Sequence, residues 1–308
     1  MSAVALITGA GGGIGGAAAV RMAAAGMTVV VADCDHAAAA KIKEEIAAAG
    51  GKADALSVDV TQSREVKALV TDVEKRFGQI DVLANIAGGS FYTKRIEEFT
   101  WTEWKEVIDV NLKGAFLMCR QVAPIMRRQK RGRILNTASN YGITGSALRT
   151  PYAAAKAGII AFTKSLAQEL APYGILVNTV APGPTDTPRV MEKETAEARQ
   201  QRWSYIPLGR TGKPEDVDAA EAAECFFSET LDERFIGDID LDRQALRTET
   251  HKLIGDRPGL FCLEIGYNHF SAFLTEAKRH CPADSLGAAG HNRDFSFKLH
   301  GITTPPFT

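Results

Sequence analysis

Six short runs of apolar, β-branched-rich sequence recur along the first two-thirds of the chain, at residues 3–8, 27–32, 53–58, 80–85, 133–138 and 175–180. Longer segments of helical character separate them, at 14–25, 37–49, 63–77, 102–127 and 152–171. Strands alternating with helices predict right-handed crossovers and a parallel sheet. The apolar runs are nearly continuous rather than alternating, so both faces of that sheet should be covered by helices. The expected fold class is α/β, a doubly wound parallel sheet. Glycines mark where the helices should stop: Gly26, Gly50-Gly51, Gly78 and Gly174 each follow a helical segment where a left-handed cap favours a residue without Cβ.

This order is regular to about residue 225 and then fails. Five of the six histidines (His251, His269, His280, His291 and His300) fall after residue 250, and the strand–helix alternation is lost. The pattern therefore divides the chain into a doubly wound (Rossmann-type) sheet domain over 1–242 and an atypical C-terminal extension over 243–308. Within 235–242, Ile239 and Leu241 alternate with aspartates, as in a polar-edged strand. Three readings compete for the extension: a poorly ordered tail, a segment packed on the core, and a frame-altered end. Cys262, His269, His280, Cys281 and His291 match no compact ligand spacing, so no metal is expected.

Composition narrows the function classes. With 36 basic and 37 acidic residues and a formal charge of -1, the chain lacks the electrostatic character of a nucleic-acid binder. No run approaches the roughly 18 apolar residues of a membrane helix. The apolar N-terminus leads directly into glycines and reads as a strand, not a leader. Five scattered cysteines give no disulfide framework, and a reducing cytoplasm fits them best.

The first chemical signal is Thr8-Gly9-Ala10-Gly11-Gly12-Gly13-Ile14-Gly15, between the first strand and the first helix. Glycines there bring backbone N–H groups and a helix N-terminus close to a pyrophosphate, as in Rossmann dinucleotide folds. In isolation the same residues could be a plain flexible turn. About 20 residues on, the second strand ends at Asp33, where a carboxylate can accept from the adenosine ribose hydroxyls and would repel a 2′-phosphate. No Arg or Lys lies in the turn. The cofactor expected is NAD, with NADP disfavoured, and Asp35 is a weaker candidate for the ribose contact.

From here the chain resembles the short-chain dehydrogenase/reductase family through most of its first 217 residues. Thr8, Gly9, Gly13 and Gly15 meet its Thr-Gly-x3-Gly-x-Gly turn, and Asp59 and Val60 match the pair that flanks the adenine. Asn85-Ile86-Ala87-Gly88 stands where the family has Asn-Asn-Ala-Gly, and Ile86 lacks the hydrogen bonds of the second asparagine. Asn111, Ser139, Tyr152 and Lys156 match the family's catalytic set. Pro182-Gly183 and Thr187 match the turn that meets the nicotinamide carboxamide, and 206–217 resembles the segment after the substrate lid. The resemblance implies a nucleotide site of Thr8, Gly9, Gly13, Ile14, Gly15, Asp33, Asp59, Val60, Asn85, Ala87, Gly88, Tyr152, Lys156, Pro182, Gly183 and Thr187. It also implies a homotetramer, or a dimer through the 102–127 and 152–171 helices if the family's seventh strand is missing.

Tyr152 and Lys156 lie one turn apart on one helix face, a spacing that also arises by chance. Free tyrosine is a weak base at neutral pH, so positive charge from Lys156 must favour the phenolate. Tyr152 would then exchange a proton with a secondary alcohol or ketone, with Ser139 holding the substrate oxygen and Asn111 a water that links Lys156 to solvent. Each residue also has a plainer reading: Ser139 as a loop cap, Asn111 as a partner for backbone groups at a helix irregularity, Lys156 as an exposed charge. Ser90, Phe91, Tyr92, Asn140, Tyr141, Leu148, Pro184 and the 189–205 lid should border the small-molecule pocket. A competing function is a catalytically weak nucleotide-binding or redox-sensing protein with an altered C-terminus.

Overall fold

The computed structural model describes residues 2–193, 195, 206, 210–217 and 262–263. The chain divides into two compact units, Met1–Ile265 and Gly266–Thr308, and every described residue belongs to the first. The sequence boundary at 242, the proposed strand at 235–242 and the C-terminal histidines lie outside the described residues.

Six parallel strands form the sheet in the order β3-β2-β1-β4-β5-β6: β1 Val4–Thr8, β2 Thr28–Asp33, β3 Lys52–Ser57, β4 Val82–Asn85, β5 Gly132–Thr137 and β6 Ile175–Val180. A two-residue strand β7, Cys262–Leu263, pairs antiparallel with β6. Order reverses between β1 and β4, and at such a switch point the loops leaving the strands open a crevice. The helices are α1 Gly13–Ala24, α2 His36–Ala48, α3 Ser63–Phe77, α4 Trp101–Ile108, α5 Gly114–Gln129, α6 Tyr141–Thr144, α7 Thr150–Leu170 and α8 Pro188–Lys193.

The period-two geometry of a strand explains why β1 is apolar throughout. Val4 and Leu6 face one core with Val66, Val70 and Val73 of α3 and Leu117, Val122 and Met126 of α5. Ala5 and Ile7 face the other, against Ala19 and Met22 of α1 and Ile46 of α2. The glycines expected to end helices do so: Gly26, Gly50, Gly78 and Gly174 have φ of 90°, 81°, 72° and 68°.

The expected helix over 102–127 is interrupted. Between α4 and α5 lies a π-helical turn, Asp109–Lys113, with Gly114 N donating to Asp109 O. Gly114 is required there, because a Cβ would sit 2.8 Å from Val60 Cγ2. The substituted motif position, Ile86, packs against the α1-side core instead of hydrogen-bonding. Polar bonding across the sheet runs through neighbouring residues: Asn85 Nδ2 donates to Asn136 Oδ1 (2.9 Å) and Asn136 Nδ2 to Thr163 Oγ1 (2.9 Å). Among the described residues, no helix is long and apolar enough to cross a membrane.

Candidate active site

The turn after β1 meets the segment after β4 at the switch point. Gly9, at φ 68°, lies so close to this segment that a Cβ would be 2.7 Å from the Ala87 backbone. Thr8 Oγ1 accepts from Ala87 N (3.4 Å), tying the two loops together. A Cβ on Gly15 would overlap the Gly9 carbonyl oxygen, and one on Gly13 would meet the Thr187 methyl at 3.2 Å. The glycines therefore shape a close backbone turn at the start of α1, and Thr187 from beyond β6 reaches it. This donor-rich cradle suits a dinucleotide pyrophosphate. Gly15→Ala should destabilise the fold by about 1–3 kcal/mol by overpacking and weaken NADH binding; thermal melts and NADH fluorescence titration check both.

Of the two acidic residues after β2, the structure singles out Asp33. Its Oδ2 accepts from Gly11 N at 2.9 Å and its Oδ1 from Asp35 N at 3.0 Å, so the carboxylate stands against the glycine turn. Asp35 is occupied as the N-cap of α2, accepting from Ala37 N and Ala38 N. Asp59 Oδ1 accepts from Thr61 N and Thr61 Oγ1, both at 2.8 Å, which fixes the turn between β3 and α3 and buries Val60. The Asn85 side chain, by contrast, is buried and donates to Asn136 and Cys119 Sγ. Any nucleotide contact by Asn85 therefore falls to its main chain. Pro182 O accepts from Asn140 N, joining the loop after β6 to the one after β5.

The four residues of the expected catalytic set come together above these strand ends. Thr150 and Pro151 open α7, so Tyr152 lies in its first turn, with Lys156 one turn on. Lys156 Nζ lies 5.7 Å from the Tyr152 ring centroid and donates to Thr137 O at 2.6 Å. The lysine is 3% exposed, and burial pulls its ammonium down to about 8. It is no exposed helix charge. Burial pushes the Tyr152 phenol above its ordinary value, while the Ser139 hydroxyl and the charges of Arg149 and Arg189 act the other way.

Ser139 is buried two residues past β5, and its Oγ accepts from Tyr141 N at 3.2 Å. It thus binds the first residue of α6 and also faces Tyr152. Gly142 lets α6 press on α7, since a Cβ there would lie 2.7 Å from the Lys156 carbonyl carbon. Asn111 sits in the π turn and binds backbone on three sides: Nδ2 donates to Val107 O (2.9 Å) and Gly89 O (3.0 Å), and Oδ1 accepts from Gly89 N (2.9 Å). A Cβ on Gly88 would be 2.5 Å from Asn111 Oδ1 and 3.5 Å from Lys156 Nζ, so this glycine spaces the two.

Two further cations reach this region. Arg189, on α8, donates from Nη1 to Gly88 O at 3.1 Å and lies 4.5 Å from the Phe91 ring centroid. Arg149, immediately before α7, lies 5.7 Å from the Tyr141 ring centroid. The sequence pattern placed Arg189 only at the start of the lid and did not point to Arg149. Its position three residues before Tyr152 was the available signal.

The short chain dehydrogenase family model matches residues 3–198. The 3-oxoacyl-acyl-carrier-protein reductase FabG of Thermotoga maritima is 42% identical over 217 residues, which cover 70% of this chain and 86% of that protein. The cyclohexanol dehydrogenase of an Acinetobacter species is 40% identical over 214 residues, 70% of this chain and 84% of that protein. Among solved structures, gox2181 aligns with TM-score 0.72 and 32% identity, over 75% of this chain and 91% of its own. NAD+-bound xylitol dehydrogenase aligns with TM-score 0.69 and 31% identity, over 72% and 92%. With a doubly wound sheet, a glycine cradle at its switch point and relatives that are oxidoreductases, this chain belongs to the short-chain dehydrogenase family.

Proposed function

We propose that the chain is an NAD(H)-dependent oxidoreductase that interconverts a secondary alcohol and a ketone, with Tyr152 as general acid and base. The observation that carries this is the buried Lys156 one helical turn from Tyr152, with Ser139 and Asn111 closing on the same pair. A nicotinamide dinucleotide held by the Gly9–Gly15 turn, Asp33 and Thr187 supplies the hydride chemistry when bound. The chain's own groups do the proton work. In reduction, Tyr152 Oη donates its proton to the carbonyl oxygen; in oxidation, the phenolate takes the proton of the alcohol. The Ser139 hydroxyl holds that same oxygen through a hydrogen bond. Lys156, charged at neutral pH, favours the phenolate by proximity.

Asn111 acts first as a positioning residue, fixing Gly88 and Gly89 beside Lys156. Its Oδ1 keeps one lone pair for a water that links Lys156 to solvent. The apolar exposed residues Ile143, Leu148 and Met191 suit a substrate with a hydrocarbon portion. Relatives named for an acyl-thioester ketone and for a carbocyclic alcohol both agree with that. NADH-dependent loss of absorbance at 340 nm over a panel including cyclohexanone and a 3-oxoacyl thioester tests the reading. No turnover with either NADH or NADPH across such a panel would overturn it.

NAD over NADP rests on the Asp33 carboxylate at the glycine turn, and the NAD+-bound neighbour supports a nicotinamide dinucleotide in general. Asp33→Ser should raise the Kd for NADH about tenfold, roughly the loss of one charge-assisted hydrogen bond, and narrow the gap to NADPH. Fluorescence titration with both coenzymes reads this, and equal affinities in the unaltered protein would remove the argument. The protein is also proposed to form a homo-oligomer through α5 and α7, where Phe116, 42% exposed, meets Phe162 edge-on at 6.5 Å. Light scattering should show a dimer or tetramer, and a stable monomer would exclude both.

A further inference from the structure

We propose that Arg149 and Arg189 form an anion-holding subsite beside Tyr152, so that the substrate is an alcohol or ketone that also carries a carboxylate. This rests on the oxidoreductase reading of the site and names its substrate class.

The two guanidinium groups approach the tyrosine from different elements. Arg149 is the residue before α7, three positions ahead of Tyr152, and its charge acts on the phenol. Arg189 extends from α8 to Gly88 O, and Gly88 is the residue wedged between Asn111 and Lys156. Neither cation is held by a carboxylate among the described residues. Each is instead placed by an aromatic face, Tyr141 for Arg149 and Phe91 for Arg189. Stacking fixes the plane of a guanidinium and leaves its edge N–H groups available. Arg189 uses one of its five donors on Gly88 O. Several other surface basic side chains are paired with carboxylates, as Arg76 with Asp72 and Arg131 with Asp81. A carboxylate matches the planar donor fork of either arginine.

The cofactor's diphosphate is the other anion that could reach these residues, so the test separates the two. Pyruvate, acetoacetate and levulinate are each compared with their ethyl esters in NADH-dependent reduction. At the best length the acid should exceed the ester in kcat/KM by about tenfold or more, and that ratio should fall toward one in Arg149→Gln and Arg189→Gln. Arg189→Lys should recover part of it, since charge returns without the fork. Esters matching or surpassing acids at every length would overturn the inference, as would variants that lose activity on acid and ester in equal proportion. A rise in the Kd for NADH that accounts for the loss would assign the arginines to the cofactor and overturn it too. If no compound is turned over, calorimetric titration of the same acids into the NADH-loaded protein decides. Saturable binding lost in Arg149→Gln upholds the subsite while the oxidoreductase reading fails alone; no binding of any acid overturns the subsite.

Discussion

Tyr152→Phe should lower kcat by about 10²–10⁴-fold, the range contributed by a positioned general acid or base, while the Kd for NADH changes little. The substitution removes one oxygen and keeps the ring, so the packing at the start of α7 and the neighbouring Lys156 are retained. What is lost is the group that exchanges a proton with the substrate. The pH profile adds a second signature. Burial holds the phenol above its ordinary value in the free protein, so the proton-donating form dominates throughout the neutral range. Ketone reduction should therefore be level across neutral pH and decline only as the phenol ionises, whereas alcohol oxidation should climb with pH. Steady-state rates in both directions from pH 6 to 10 read this directly. Persistence of full turnover in Tyr152→Phe would show that another group moves the proton.

Much of this arrangement was readable from local pattern, and the parts that were not share a physical cause. Ser63–Phe77 and Ile175–Val180 have the bounds expected from periodicity, and the glycine caps fall where a left-handed residue is needed. These features depend on a few adjacent residues. The π turn at Asp109–Lys113 was hidden because the sequence on either side is uniformly helical. It is accompanied by contacts between Asn111 and Gly89, residues far apart in the chain. The same applies to the Asn85 side chain, whose partner is Asn136 on the next strand, since pairing across a sheet leaves no trace in one-dimensional spacing. An arginine before a helix is common, so Arg149 does not stand out in the sequence; the ring of Tyr141 and the proximity of Tyr152 set it apart.

Lys156→Met should abolish most turnover yet make the cofactor-free protein more stable near neutral pH, a pair of effects that a structural lysine would not produce. The ammonium is buried, with Thr137 O as its one hydrogen-bond acceptor among the described residues, and burial brings it from the ordinary 10.5 to about 8. Between those two values the unfolded chain binds this proton and the folded chain does not, so stability rises as pH increases through the window. Below about 8 the folded protein carries the whole penalty, which the same gap puts at roughly 3 kcal/mol. Methionine fills a similar volume without the charge, and the Thr137 carbonyl it leaves without a donor takes back about 1–2 kcal/mol. A net gain of about 1–2 kcal/mol at pH 7 follows, with a flatter dependence above pH 8. Urea denaturation at pH 7 and pH 9.5, with and without NADH, measures it. NADH should narrow the gain, because Lys156 then finds hydrogen-bond partners that methionine lacks. A variant less stable than the parent at both pH values would mean that the buried ammonium holds the fold together, and that its charge is not kept there for the chemistry of Tyr152.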